Sequence, residues 1–191
     1  NTIKDLAIRA ANTVFKNASS ESARLDSSGH LLVGHSSSRA VSGATPRIVQ
    51  VESTDAATGI AITRNTNSTN APYISFGKTR GGSVGGTTTV QDNDALGIIQ
   101  FAGADGTDVQ SVGAEIKALV DGTVAGDRMP GSLLFRTTSD SAGSVASTTA
   151  LTLDSSQNAL FAGKVGIGNN SPTSQYYQDL VVGDGNNNRG I

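Results

Sequence analysis

Short runs of alternating apolar and polar residues, separated by turns, fill most of the chain. In 112–120, Ile116, Ala118 and Val120 recur at every second position, which is typical of a half-buried strand. Dipeptides such as Asp105-Gly106 and Pro130-Gly131 mark turns between the runs. Strands at this spacing predict an all-β fold, with further strands in the runs 60–62, 73–76, 96–102, 133–137, 150–153, 160–162, 165–167 and 180–182.

The first residues follow a different period. Small or apolar side chains there recur at helical steps of three and four, at Ile3, Leu6, Ala10 and Thr13. Thr2 and Asp5 have the spacing of a capping box. We therefore predict a short N-terminal helix or coiled-coil segment over 1–18. Its narrow apolar stripe packs either on its own domain or on other copies of the chain.

Two internal echoes indicate repeated modules. Leu25–Gly34 resembles Leu153–Gly163, and both are typical of strand, polar turn and strand. A second repeat is a short run with apolar residues that ends in a phenylalanine, and it occurs in 73–76, 98–101 and 133–135. We divide the chain into an N-terminal helical segment, a strand–turn–strand neck module, a main β module and a C-terminal β module that we expect to be truncated near Ile191, with the bounds 1–18, 19–58, 59–148 and 149–191.

The composition limits the core that one chain can bury. Hydrophobic residues make up 36% of the 191 residues and aromatic residues 4%, while glycine alone contributes 23. With so few large apolar side chains, one chain buries too little apolar surface to offset the loss of conformational entropy on folding. We therefore expect the chain to fold together with copies of itself. The net charge of −2, without a basic block, argues against nucleic-acid binding. The sequence has no apolar run long enough for a membrane span and no cysteine.

Candidate catalytic residues are few. His30 and His35 are the two histidines, and a Ser/His/Asp site would need one of them beside a serine and an acid. On a threefold axis, a single histidine could instead supply three converging metal ligands. Paired carboxylates could hydrolyse glycosides, but each pair lies at a turn, where aspartate commonly bonds backbone amides; the pairs are Asp92 with Asp94, Asp105 with Asp108, and Asp121 with Asp127.

Other motifs give no assigned site. The glycines of 166–171 lack the third glycine and the helix of a dinucleotide-binding loop. The stretch 81–94 is predicted to be a long exposed loop, and Tyr176 with Tyr177 is the best candidate for an exposed aromatic pair. We therefore assign no catalytic, cofactor-binding or metal-binding residue and expect no cofactor.

Several phrases resemble bacteriophage tail fibres, above all those of phages of aquatic bacteria. Gly163–Thr173, which reads GKVGIGNNSPT, is similar to a phrase common in such fibres, and so are Ala150–Ser156 and Ala23–Gly29. The order of the segments 97–106, 113–118 and 129–138 is similar too. Together these phrases cover most of 20–191, and all of them are structural, so they transfer no functional residue.

This resemblance implies an elongated, intertwined homotrimer of short-strand modules in the virion tail. Its partners would be two further copies, other phage tail proteins, and a host surface glycan or outer-membrane receptor. Such fibres are assembled in the host cytoplasm and often carry a cleaved C-terminal chaperone, which is not recognisable here. The resemblance thus favours a non-enzymatic role in adsorption to the host cell. The alternatives are a tailspike-type polysaccharide depolymerase and, ranked last, a bacterial surface adhesin or trimeric autotransporter stalk.

Overall fold

The chain folds into two β-sheets. The computed structural model describes residues 11–140, 147–163 and 165, and within these ranges it contains nine strands and no helix. Accordingly, the described ranges hold no helix that could span a membrane. The predicted all-β class is confirmed.

The first sheet has four short strands in sequential order. They are β1 (Thr13–Asn17), β2 (Ser20–Leu25), β3 (Leu31–Val33) and β4 (Val49–Val51). The pairs β1–β2 and β2–β3 are antiparallel, whereas β3 and β4 run parallel. Leu32, at the centre of β3, is completely buried and forms the small core of this sheet.

Strand β1 corrects the predicted N-terminal helix at its C-terminal end. Thr13 pairs with Leu25, and Asn17 with Ser20, across a tight antiparallel hairpin. β-Branched and aromatic residues, here Thr13, Val14 and Phe15, favour a strand when a partner is available. The predicted helix is therefore wrong over 13–17. Residues 1–10 lie outside the described part of the chain.

The second sheet is a five-stranded antiparallel meander. Its strands, in order, are β5 (Ala95–Gly103), β6 (Ser111–Val120), β7 (Gly131–Thr137), β8 (Thr148–Leu153) and β9 (Ala159–Phe161). These confirm the strands predicted from the sequence between 96 and 162. The last two strands fall in the predicted C-terminal module but extend this same sheet, and the module boundaries stay a prediction. Of the remaining predicted strands, Val165 lies outside any strand, and 166–167 and 180–182 lie outside the described residues.

The strand register gives the second sheet one markedly apolar side. Directly opposed residues share a face, so one row crosses all five strands at Ile99, Ile116, Phe135, Leu151 and Phe161. The neighbouring row consists of Gly97, Ala118, Leu133, Leu153 and Ala159. We call these two rows, with Phe101, the apolar face. The opposite face is mixed and carries Gln100, Glu115 and Arg136 in another row.

Between the two sheets runs a stretch without regular structure. Residues 53–78 are exposed without interruption, and the backbone of 59–79 makes no backbone–backbone hydrogen bond to the described residues. We call residues 59–78 the unpaired segment. The strands predicted at 60–62 and 73–76 are thus wrong, because no strand among the described residues pairs with them. Near its end, the Phe76 side chain lies against Gly97 on the apolar face.

The described residues bury little apolar side chain. Only Leu32, Val90 and Val120 are buried among their hydrophobic residues. Large exposed side chains include Ile60, Tyr73, Ile74, Phe76, Phe101 and Phe161. The limited core expected from the composition is therefore present in the fold, and many large apolar side chains are not covered by other described residues.

Candidate functional site

The two similar segments Leu25–Gly34 and Leu153–Gly163 contain the same type of turn. Asp26 accepts hydrogen bonds at Oδ1 from the amides of Ser28 (2.9 Å) and His30 (2.8 Å). Asp154 accepts the corresponding bonds from Ser156 (2.9 Å) and Asn158 (2.8 Å). The fourth residue of each turn has a left-handed backbone: a glycine, Gly29, in the first turn and Gln157 in the second.

These hydrogen bonds explain the acidity of both carboxylates. The amide and ring of His30, followed by the Ser28 amide, lower the pKa of Asp26 to about 2. The side chain and amide of Asn158, followed by the Ser156 amide, lower the pKa of Asp154. Donors that bond the ionised form favour it. Both carboxylates thus hold a turn between two strands, β2–β3 and β8–β9.

Neither histidine lies in a nucleophilic arrangement within the described residues. His30 Nδ1 is 2.9 Å from Asp26 Oδ2, but its role is in the turn. His35 Nδ1 bonds the carbonyl of Ser37 at 2.9 Å and is 3.9 Å from Glu52 Oε2. Neither ring bonds a serine hydroxyl there, and no group of three metal-ligating side chains occurs in the described ranges. A histidine site on a threefold axis stays a prediction.

The first predicted acid pair holds two loops in place. Asp92 accepts the Gly122 amide at 2.7 Å. Asp94 binds the Arg80 guanidinium through two contacts, of 2.7 and 2.8 Å, and accepts the Gln91 amide at 2.9 Å. The Arg80 bonds, followed by that amide, hold the pKa of Asp94 well below its ordinary range.

The other two pairs also bond nearby backbone. Asp105 accepts Ser111 Oγ at 2.6 Å and the Thr107 amide at 2.9 Å, which lowers its pKa to about 2. Asp108 accepts the Gln110 amide at 2.8 Å. Asp121 bonds the Ser155 amide at 2.8 Å, and Asp127 occupies a turn with a φ of 56°. The structure places these acids at turns, as their neighbours in the sequence indicated.

The stretch 81–94 contains no strand and protrudes from the second sheet. The Arg80–Asp94 ion pair joins its two ends, and the Arg80 amide donates to the Thr88 carbonyl at 3.1 Å. Gly81 and Gly86 approach so closely that a Cβ on Gly81 would lie 3.0 Å from the Gly86 backbone. Val84 at the tip is fully exposed, while Val90 is buried. The loop is therefore anchored at its base and open to solvent at its tip.

A polar pocket, which the sequence analysis missed, lies beside β4. It encloses about 370 Å³ and is lined by four valines and the polar side chains Arg39, Arg47, Gln50 and Glu52. Arg39 binds Glu52 through contacts of 2.6 and 2.7 Å, which lowers the pKa of the carboxyl group. Gln50 accepts the Arg39 amide at 3.1 Å and donates to the Arg47 carbonyl at 2.9 Å. Arg47 donates one bond to the Ser42 carbonyl at 3.2 Å, and its guanidinium retains further donors for a ligand such as a sugar hydroxyl. In the sequence, the alternation Val49-Gln50-Val51-Glu52 indicates a strand with one polar side. That Arg39 lies beside this strand follows only from the fold.

A polar cluster (Gln100, Glu115, Arg136) occupies the mixed face of the second sheet. Glu115 is only 6% exposed, forms an ion pair with Arg136, and accepts Gln100 Nε2 at 3.1 Å. Arg136 also donates to the Ser147 carbonyl. Burial raises the pKa of Glu115, but the bonds from Arg136 and Gln100 outweigh it, and the pKa lies below its ordinary value. This cluster links β5, β6 and β7.

Two predicted candidates lie outside the described residues: the glycine stretch 166–171 and the pair Tyr176 and Tyr177. Within the described part, the structure therefore offers two exposed polar surfaces, the loop 81–94 and the polar pocket, and one large apolar face.

Comparison with known proteins identifies a similar solved structure but no related sequence family. Neither a scan against protein-family models nor a search of curated proteins found a match. Among solved structures, the chain is similar to the carboxy-terminal domain of the bacteriophage T5 L-shaped tail fibre, with a TM-score of 0.60 and 14% sequence identity. The match covers 86% of this chain and 69% of that domain. At this identity the likeness concerns the fold, and the chain has a tail-fibre-like all-β fold.

Proposed function

We propose that this chain is a structural part of a phage tail fibre, forms a homotrimer, and mediates adsorption to the host cell surface. The observation that carries the proposal is the five-stranded sheet with an uncovered apolar face in a fold similar to a tail-fibre domain. A sheet with one apolar side requires a second layer. Two further copies of the chain supply that layer in this proposal.

The location of the protein and its other partners follow from the same role. A fibre protein is assembled in the host cytoplasm and resides in the virion tail, where other tail proteins hold it. The carboxylates at turns support a structural role over the depolymerase alternative, since Asp92, Asp94 and Asp105 already bond backbone amides or an arginine.

Binding to a surface glycan or outer-membrane receptor is assigned to the polar surfaces. The tip of the loop 81–94 is open to solvent, and the polar pocket, with a volume of about 370 Å³, presents the remaining donors of Arg47. Each contact is weak by itself. Three copies per fibre raise the overall affinity, because bound sites hold the remaining ones close to the surface.

Two measurements test this function. Light scattering of the purified chain should give three times 19.3 kDa. On an array of purified lipopolysaccharides and capsular polysaccharides, the trimer should bind a subset of glycans. Arg47→Ala, in the polar pocket, should weaken that binding about tenfold, while Arg128→Ala, away from it, should leave it unchanged.

A monomer would contradict the fibre architecture. A trimer that binds no glycan on the array and no intact bacterium would contradict the role in adsorption. Release of reducing ends from any of the polysaccharides would instead favour the depolymerase.

A further inference from the structure

The unpaired segment and the apolar face are two complementary surfaces of one chain. The segment carries Ile60, Ile62, Tyr73 and Ile74, which are 48–75% exposed. The apolar face likewise exposes Ile99, Phe101 and Phe161. A twenty-residue stretch without partners is uncommon in a compact domain and usually has a function. Since water solvates these apolar side chains poorly, we expect both surfaces to be covered in the assembled protein.

Phe76 shows how the segment fits such a face. Its side chain packs so closely over Gly97 that a Cβ on Gly97 would lie 2.8 Å from the Cβ of Phe76. Beside it lies an apolar cavity of about 340 Å³, lined mainly by Phe76, Gly97, Ile99, Ile116, Ala118 and Leu133. The chain's own segment thus begins to cover this face but leaves the cavity open.

The rest of the segment is exposed and is not buried against its own sheet. Gly97 belongs to β5, which is an edge strand, and residues preceding Phe76 are all exposed back to residue 53. Twenty extended residues span up to about 66 Å. Five strands about 4.8 Å apart occupy only about 24 Å. The segment is therefore long enough to cross the corresponding face of a neighbouring molecule.

We propose that residues 59–74 of one chain lie across the apolar face of a second copy, with Ile74 near the open cavity. This inference rests on the self-association proposed above and assigns its interface. Because each chain carries both the segment and the face, three copies related by a threefold axis satisfy one another in a closed ring.

The available area supports a copy of the chain as the occupant. Seven residues of about 3.3 Å along five strands give a face of about 550 Å². One extended segment of about sixteen residues, at about 3.3 Å per residue and about 4.8 Å wide, covers about 250 Å² of it. Each contact therefore buries about 500 Å² in total. The three contacts of the ring bury about 1,500 Å², which exceeds the roughly 1,000 Å² expected of a specific interface.

Cysteine cross-linking tests the contact directly, because the chain has no cysteine of its own. Phe76 lies against Gly97 of the same chain, so two cysteines at positions 74 and 99 of one chain could link to each other. A flexible bis-maleimide is therefore applied to trimers assembled from a mixture of Ile74→Cys chains and Ile99→Cys chains, and products are separated under denaturing conditions. We expect covalent dimers. The matched control is a mixture of Val84→Cys and Ile99→Cys chains, in which the first cysteine lies at the loop tip, and it should yield mainly single chains, as should each variant assembled alone.

A second measurement avoids dependence on cross-linker geometry. Ile60→Ser/Ile74→Ser should raise the dissociation constant of the assembly at least about 100-fold, because two apolar anchors are lost. Val84→Ser, which removes a comparably exposed apolar side chain outside the segment, should leave the constant within about twofold.

The outcomes separate this inference from the proposed function. A trimeric mass with only single-chain products, or with an unchanged dissociation constant in the double serine variant, would overturn the placement of the segment while leaving the trimeric fibre intact. A monomeric mass of the unmodified chain would overturn both.

Discussion

Two short segments of this chain that share an isoleucine and a phenylalanine at the same positions adopt different structures. Ile98-Ile99-Gln100-Phe101 lies in strand β5 and pairs with β6, whereas Tyr73-Ile74-Ser75-Phe76 lies in the unpaired segment. Phe101 and Phe76 are exposed to the same degree, 56% and 58%. The apolar pattern is therefore not what separates them. The difference is whether a neighbouring strand of the same chain is available.

The third position of the two phrases sharpens this contrast. Gln100 bonds the buried carboxylate of Glu115, and this polar cluster fixes β5 against β6 and β7. Ser75 occupies the corresponding position in the unpaired segment and makes no side-chain hydrogen bond to the described residues. A buried, satisfied polar group specifies one register, because any shift would leave it without its partner.

Removing the cation of the polar cluster should have the largest effect on the paired region. Arg136→Met leaves Glu115 buried without its partner, and breaking such a pair costs about 3 kcal/mol of unfolding free energy. Chemical denaturation at fixed protein concentration measures the loss. The control, Arg128→Met, removes an arginine that only donates to the Thr123 carbonyl, and should stay within about 0.5 kcal/mol. Equal losses in the two variants would contradict a special role for the cluster.

The two phenylalanines compare the regions directly. If neighbouring copies cover both, Phe76→Ala and Phe101→Ala should each cost about 2 kcal/mol per chain in the assembly. In each case the loss should shrink as the protein is diluted, since it acts on association, and association stabilises both proteins less at low concentration. Thermal melting across a hundredfold range of concentration gives the answer. A loss confined to Phe101→Ala would mean that the unpaired segment stays uncovered.

Gly97 joins the two regions at a single point. Gly97→Ala places a Cβ 2.8 Å from the Cβ of Phe76, so Phe76 must move together with its backbone, at a cost of about 1 kcal/mol. Gly103→Ala, in the same strand, meets no atom within 4 Å and should be neutral. A Gly97→Ala variant as stable as the wild type in thermal melting would show that Phe76 is not fixed there.

Acid should act on the turns of the paired strands and spare the unpaired segment, which contains no aspartate or glutamate. The ordinary pKa of Asp26 is 3.8, and the turn lowers it to about 2. Its stabilisation is therefore complete above about pH 4 and is lost as the pH falls toward 2. Asp26→Asn should make the melting temperature less dependent on pH in this window. An unchanged pH profile in the variant would contradict the contribution of the turn.

The paired strands could be predicted because the residues that define each strand and its turns are close together in the sequence. Alternation at Ile116, Ala118 and Val120 and the glycine turns between strands located all five strands of the second sheet within one or two residues. The Asp26 and Asp154 turns were detectable as an internal echo. Their hydrogen bonds join residues at most four positions apart, and a local sequence pattern can indicate contacts over so short a distance along the chain.

Features that depend on distant partners could not be read from the pattern. Helical spacing at the N-terminus gave the wrong structure for Thr13–Asn17, since pairing with β2 outweighs a weak local preference. The strands predicted at 60–62 and 73–76 failed for the opposite reason: their pattern is suitable, but the described part of the chain supplies no partner strand. The polar pocket joins Arg39 to Glu52, thirteen positions away, and no local rule links them.

The link between the two sheets has a mechanical consequence. Within the described residues, their backbones meet where Val41 pairs with Val109 and the Ser42 amide donates to the Val109 carbonyl at 3.0 Å. Each long strand of the second sheet is instead held by a continuous ladder. Under tension, this junction should yield before either sheet unravels. When a single chain is pulled from its ends, the two sheets should therefore separate first, while the strands within each sheet stay paired.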